Sequence, residues 1–283
     1  MITVPVNVYN TGFLWHLNLF WHAHNNVYGD LALHKVYSAV INQDDIESDF
    51  DLGVLLRHKI CQPWQQYADL VEKLKDVNPG LCVPLNIQVG LQQIIDDFED
   101  FQVIELVDHD MLHFRKHHNY FVNDNEFMVC DLYEKWHLHS LTTNKSIVDH
   151  VLDNNNQAQF YNGGFVPIIG TAYTFKKILA DWIDMHIKIL VKQPTESNNI
   201  CWWAGMYSFN AACEKHGIHM IPRNFCYVPG INELSDEMYI AHYSVDPRFD
   251  KKKYPNLDLS LFLDNDFYNL VKSWPNLLKT TSQ

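Results

Sequence analysis

The stretch Val103-Ile-Glu-Leu-Val-Asp-His-Asp-Met-Leu112 decides how this chain is read. Val103 to Val107 is short and mostly apolar, which predicts a strand. The strand runs directly into Asp108 and Asp110. Alternation along an extended chain puts residues i and i+2 on one side, so the two carboxylates share a point. In open α/β sheets, ligands sit at the carboxyl ends of the strands. Carboxylate oxygens placed there suit Mg²⁺ or Mn²⁺, and either cation shares its coordination sphere with a diphosphate. A turn carrying two solvated aspartates would have the same sequence, so the pair alone leaves both readings open.

Working outward, Ile2 to Tyr9 and Val36 to Ile41 predict two further strands, and Phe13 to Asn26 a helix rich in His and Trp. Asn42 to Asp51 is acidic and loop-like. Trp64 to Leu74 has helical spacing, Asn78-Pro79-Gly80 is a turn, and Pro84 opens a helix through Ile95. Val166 to Ile169 predicts a strand, followed by an amphipathic helix from Ala172 to Leu190. A second helix, Trp202 to His216, is closed by Gly217 as a C-cap. Ile218 to Ile221 and Ile240 to Tyr243 are short strand candidates, and Leu259 to Trp274 has helical spacing. Early alternation of strands and helices predicts an α/β fold, with a mostly parallel central sheet flanked by helices. No repeat, low-complexity tract or linker divides the chain, so residues 1–283 are expected to form one domain.

The composition excludes some functions. A net charge of −13 argues against a protein that coats nucleic acid non-specifically, although a local basic face remains compatible with it. Six cysteines show no CxxC pair, so neither a zinc knuckle nor a disulfide framework is expected, and a reducing compartment is the simplest reading. The first 26 residues lack a basic start, and His16, Asn18 and His22 interrupt their apolar run. Neither a signal peptide nor a membrane span is expected, and the protein is expected to be soluble and cytoplasmic.

Other residues could complete a site around the aspartates. His242, on Ile240-Ala-His-Tyr243, could add a neutral imidazole to a metal sphere, or be a satisfied strand-end histidine. His113 and His117 have i, i+4 spacing, but no His-Glu-x-x-His pattern accompanies them. Arg115 to His118 therefore read as a polar, basic loop beside the metal. In Asn162-Gly163-Gly164 the paired glycines would let a ligand approach the backbone, or simply make a tight turn. Arg248 and Lys251 to Lys253 form a basic run that would hold a diphosphate or lie solvated.

These pieces occur in an order that resembles the GT-A glycosyltransferases, specifically those that include the hydroxyproline O-arabinosyltransferases and the peptidyl serine galactosyltransferases. Val83-Pro-Leu-Asn-Ile87 is similar to that family's Pro-x-x-Asn-Lys-Pro segment, without its lysine and second proline. Asp108-His-Asp-Met111 is similar to Asp-Ala-Asp-Met. Asn162-Gly-Gly-Phe165 matches a Gly-Gly segment, Trp202 to Ala212 a Met-Tyr helix with a Ser-Phe-x-Ala-Ala run, and His242-Tyr243 a late His-Tyr. The resemblance covers roughly residues 80 to 245.

The resemblance implies one Rossmann-like GT-A domain, with a nucleotide-sugar half (about 1–115) and an acceptor half (about 116–283). It implies a UDP-sugar donor, with Mn²⁺ or Mg²⁺ held by Asp108, Asp110 and His242. Asn86, Gly163, Gly164 and Lys251 would contact the donor beside Asp108. The catalytic positions would be Asp110, Asn162 and Trp203. One departure matters: the family often has a glutamate before Met-Tyr, where this chain offers Gly205 or, in the other alignment, Trp203.

A cytoplasmic relative needs a hydroxyl acceptor. A small GT-A enzyme of this length also looks like a bacteriophage 5-hydroxymethylcytosine DNA arabinosyltransferase, acting in the host cytoplasm. The hydroxymethyl group points into the major groove, although the base could still need flipping. A peptide or glycan hydroxyl is the alternative acceptor. A binding module with a dead site is the alternative of another class, and the missing glutamate is its support. The sequence leaves the sugar, the stereochemistry and the oligomeric state open.

Overall fold

The computed structural model describes residues 1–7, 20, 23–25, 27–29, 35–41, 57–108, 111–116, 120–130, 165–192, 203–227 and 233–242. Three parallel strands open the chain: β1 (Ile2–Asn7), β2 (Lys35–Ile41) and β3 (Arg57–Cys61). A 3₁₀ turn at Trp64–Gln66 leads to α1 (Ala68–Leu74), and α2 (Leu85–Ile94) follows a second turn capped by Asn78, whose Oδ1 accepts from Gly80 N. β4 (Val103–Asp108) pairs in parallel with β1 on the side away from β2. β6 (Glu126–Cys130), β7 (Phe165–Thr171) and β8 (His219–Arg223) complete a seven-stranded sheet in the order β3-β2-β1-β4-β7-β6-β8. β7 is antiparallel to both its neighbours, and the other described pairings are parallel.

The sequence expectation of an α/β fold with a mostly parallel sheet agrees with this architecture. Two strands of this sheet escaped it. β3 carries Arg57, His58 and Lys59 and lies at the sheet's edge, where the hydrophobic pattern is weak. β6 is a five-residue run with no alternation. The predicted loop at 42–51, most of the helix from Phe13, and the helix at 259–274 lie outside the described residues.

Ile2, Val4 and Val6 of β1, with Ile104 and Leu106 of β4, face one common core. α2 and the long α3 (Ala172–Lys192) cover it, and α4 (Ala204–Lys215) packs along α3. Thr171 ends β7 and starts α3: its Oγ1 accepts from Thr174 N, the pattern of an N-cap. The apolar stripe of α3 buries Phe175, Ile178 and Trp182, each contributing about 1.5–3 kcal/mol by leaving water. Trp182 also donates from Nε1 to Gly205 O at 2.7 Å, which fixes α4 against it. The end of α4 is the predicted one. Gly217 has φ +62°, and Ile218 N and Gly217 N return to Cys213 O and Glu214 O.

The opposite face of β1 and β4 carries Thr3 and Glu105. A second, three-stranded sheet contributes to that side: β5 (Met111–His113), β10 (Ile240–His242) and β9 (Cys226–Tyr227). β10 is antiparallel to β5, with His242 opposite Met111 and Ile240 opposite His113.

Candidate active site

Strand order places the site. The chain lays β1, β2 and β3 outward to one side, then returns to set β4 on the other side of β1. That reversal between β1 and β4 is a topological switch point, where open α/β sheets take ligands in the crevice at the carboxyl ends of the strands. Asp108 is the last residue of β4 and pairs with Val6 of β1, so it stands at this crevice.

His242 reaches the same point from the small sheet. Its Nε2 is 3.8 Å from Asp108 Oδ2, and both side chains are partly exposed, at 14% and 27%. Two neighbouring ligands of a small octahedral cation lie about 3 Å apart at bond lengths of roughly 2.1 Å. The observed separation closes to that with a small side-chain movement. An imidazole nitrogen and a carboxylate oxygen form a donor set that Mn²⁺ accepts. The described residues therefore fit a divalent cation as two of the three expected ligands. The third, Asp110, lies outside the described residues, as do Asn162, Gly163, Gly164 and Lys251. Among the described residues no group of three or more His, Cys, Asp or Glu gathers as a metal site.

Asn86 and Trp203 have other neighbours. Asn86 is buried, and its Oδ1 accepts from Trp64 N at 3.0 Å, tying α2 to the turn before α1. Trp203 precedes α4, where its carbonyl accepts from Met206 N and Tyr207 N, and it packs on the main core. Gly205 lies on the inner side of α4. A Cβ built there would be 3.0 Å from Gln88 Nε2 and 3.6 Å from His186 Cε1. This position receives the Trp182 indole and the Gln88 side chain, leaving little room for an acid.

Of the expected basic loop at 115–118, Arg115 and Lys116 lie in the loop that follows β5. His113 is fully buried in β5, and Arg115 Nη1 donates to Ser235 O, which ties it to the chain ahead of β10. His117 and His118 lie outside the described residues.

Glu105, in the middle of β4, is the residue that sequence reasoning passed over. It is fully buried, and three side chains approach it. Thr3 Oγ1 donates to Oε2 at 2.7 Å, Tyr239 OH donates to Oε1 at 2.7 Å, and His113 Nε2 is 3.2 Å from Oε2. Burial first, then the Glu105 carboxylate, pushes the Tyr239 hydroxyl well above the usual phenol range, so it stays a donor. Phe20, His24 and Tyr28 surround the His113 ring at centroid distances of 5.2–5.5 Å. The signal was a lone acid inside an apolar strand, which is costly to bury without partners.

Residues 65–221, more than half of the chain, match the N-terminal domain of the hydroxyproline O-arabinosyltransferase family. No curated protein sequence matches the chain. Two crystal structures of LgtC share the fold over 95% of this chain and 100% of theirs, at 10% identity. One is an active-site mutant, with a TM-score of 0.55. The other is the galactosyltransferase in complex with donor and acceptor sugar analogues, with a TM-score of 0.50. The apo structure of the bifunctional glycosyltransferase WbbM is similar over 86% of this chain and 45% of its own, with 8% identity and a TM-score of 0.50. No described helix is long and apolar enough to cross a membrane.

Proposed function

This chain belongs to the hydroxyproline O-arabinosyltransferase family and is a glycosyltransferase, and from that premise we propose a metal-dependent transfer of arabinose from a UDP-sugar to a hydroxyl acceptor by a single GT-A domain. The observation that carries the proposal is the convergence of Asp108 and His242 at the crevice between β1 and β4. Asp108, His242 and the adjacent Asp110 would hold Mn²⁺ or Mg²⁺. When bound, the cation offsets the negative charge that grows on the departing nucleotide diphosphate.

The chain's own residues bind and orient. Gly163 and Gly164 let the donor approach the backbone, and Lys251 offers a cation to the diphosphate. Asn86 supports this donor half from within α2. Asn162 and Trp203 are the further catalytic candidates in this reading. The acceptor oxygen attacks the anomeric carbon as the bond from that carbon to the diphosphate oxygen breaks. The acceptor's proton passes to solvent, and the products are a glycoside, UDP and that proton.

The acceptor in this reading is the hydroxymethyl group of modified cytosine in DNA, with the basic run from Arg248 to Lys253 as its local positive surface. A second reading, a peptide hydroxyl, is favoured by the family description itself. Mass spectrometry separates them. The protein is incubated with Mn²⁺, a panel of UDP-sugars and either hydroxymethylcytosine DNA or a hydroxyproline peptide. A metal-dependent pentose shift on the DNA nucleosides supports the first reading. A shift on the peptide alone moves the acceptor to the second. If neither transfer nor metal-dependent UDP release occurs, the metal-dependent proposal is overturned.

A further inference from the structure

Two of the contacts between β4 and the segment that forms β10 have the same spacing on both sides. Glu105 meets Tyr239, and three residues later Asp108 meets His242. The first contact is buried and hydrogen-bonded, and the second is partly exposed, at the proposed metal site. We propose that Glu105 is a positioning residue. Its carboxylate clamps the small sheet to the large one and so sets where His242 stands relative to Asp108. The inference rests on the metal reading above.

The clamp is complete on both sides. Thr3 donates from β1, directly opposite Glu105 in the parallel ladder, and holds the carboxylate in the large sheet. Tyr239 donates from the residue that leads into β10, and His113 approaches from β5. With Glu105 as a carboxylate, the 3.2 Å contact is made when His113 carries its proton on Nε2. Both strands that flank the metal site are thereby held to one carboxylate. Met111 sits beside Asp110 in the chain, and His242 is its partner in the ladder. A shift of the small sheet would therefore move His242 and the start of β5 together, away from Asp108.

A carboxylate buried with hydroxyl and imidazole donors gives defined directions, which an apolar contact would not. The rings of Phe20, His24 and Tyr28 surround His113 and leave it little freedom to seek another partner. Groups that orient metal ligands at one remove typically change metal affinity 10–100-fold when altered.

The test compares Mn²⁺ affinity, read by electron paramagnetic resonance with UDP present, in four full-length proteins. They are the wild type, Tyr239→Phe, Glu105→Gln and the control Thr174→Val. Thr174 is also buried and hydrogen-bonded, but it sits beside Thr171, which pairs with Val103 at the far end of β4. Tyr239→Phe keeps the ring and removes one donor. Glu105→Gln keeps the shape and two of the contacts. The expected result is at least about tenfold weaker Mn²⁺ binding for Tyr239→Phe, a smaller loss for Glu105→Gln, and unchanged binding for Thr174→Val.

Amide exchange of Ala241 and Leu112, measured without metal, should quicken in Tyr239→Phe while exchange at Val4 stays as in the wild type. Wild-type Mn²⁺ affinity in a folded Tyr239→Phe and a folded Glu105→Gln would overturn the positioning role alone. If the wild type binds no Mn²⁺, the metal reading and this inference fall together. Equal weakening in Thr174→Val would also overturn the inference, because general loosening of the fold would then account for the effect.

Discussion

Asp108 Oδ2 and His242 Nε2 stand 3.8 Å apart although they come from different sheets. One closes a parallel strand of the large sheet, and the other closes the short strand opposite Met111. Open α/β sheets take ligands at such a topological reversal. Oxygen beside imidazole nitrogen is a donor set that the proposed divalent cation accepts.

The first prediction follows from that pair. Asp108→Asn should reduce metal-dependent UDP release by at least about 100-fold, since even groups acting behind a ligand can cost that much. The variant should melt with the wild type, because the side chain lies partly exposed at the end of its strand. His242→Ala should weaken Mn²⁺ binding in the same assay. UDP release by Asp108→Asn at the wild-type rate, unaffected by EDTA, would remove the metal from this position.

How much of this was legible in the sequence depends on range. Asp108 was visible because the signal is local: an acid that ends a short apolar run. His242 was visible as a strand-end histidine, but nothing local says that it meets Asp108. Glu105 was legible only as an oddity, since its Tyr239 partner is 134 residues away and Thr3 is 102 away. The sheet's mostly parallel character followed from alternating elements. The antiparallel insertion of β7 between β4 and β6 did not, because that pairing is non-local. β5 has three residues, too few for any period to show.

The second prediction concerns the absent glutamate. Gly205 could be taken as a lost catalytic acid that Gly205→Glu would restore. The structure argues otherwise, because the Gln88 side chain and the His186 ring occupy the space a side chain would need. Gly205→Glu should therefore lower stability by about 1–3 kcal/mol, the usual cost of overpacking. It should leave kcat no higher than wild type. The urea midpoint and UDP release measure the two effects, and a raised kcat with an unchanged midpoint would reverse this reading.

The third prediction is a pH dependence. His186 on α3 is fully buried, with Nδ1 3.0 Å from the Gln88 amide. Burial lowers its pKa to about 3 from the ordinary 6.5. Between those values the unfolded chain binds a proton that the folded chain refuses, so stability rises with pH there. The contribution is fully present above pH ~6.5 and shrinks by about 1.4 kcal/mol for each unit of acidification below it. Thermal melts at pH 7 and pH 5 should differ more for the wild type than for His186→Gln. Parallel losses in the two proteins would show that His186 does not carry the dependence.

The fourth prediction isolates backbone conformation from packing. Gly217 has φ +62°, and a Cβ built on it meets nothing within 4 Å. Any cost of a side chain there is therefore conformational, not steric crowding by neighbours. A left-handed residue with a Cβ costs roughly 1–2 kcal/mol, and Asn tolerates that region better than Ala. Gly217→Ala should lower the unfolding free energy read from urea melts by that amount, and Gly217→Asn by less. Mn²⁺ affinity should stay unchanged in both, since this cap closes α4 and leads into β8, four strands from β1 on the far side of β4. If the two variants instead lose stability equally and by less than about 0.5 kcal/mol, the helix end must be free to re-form without the left-handed residue. The hydrogen bonds from Ile218 N to Cys213 O and from Gly217 N to Glu214 O would then contribute little to holding it.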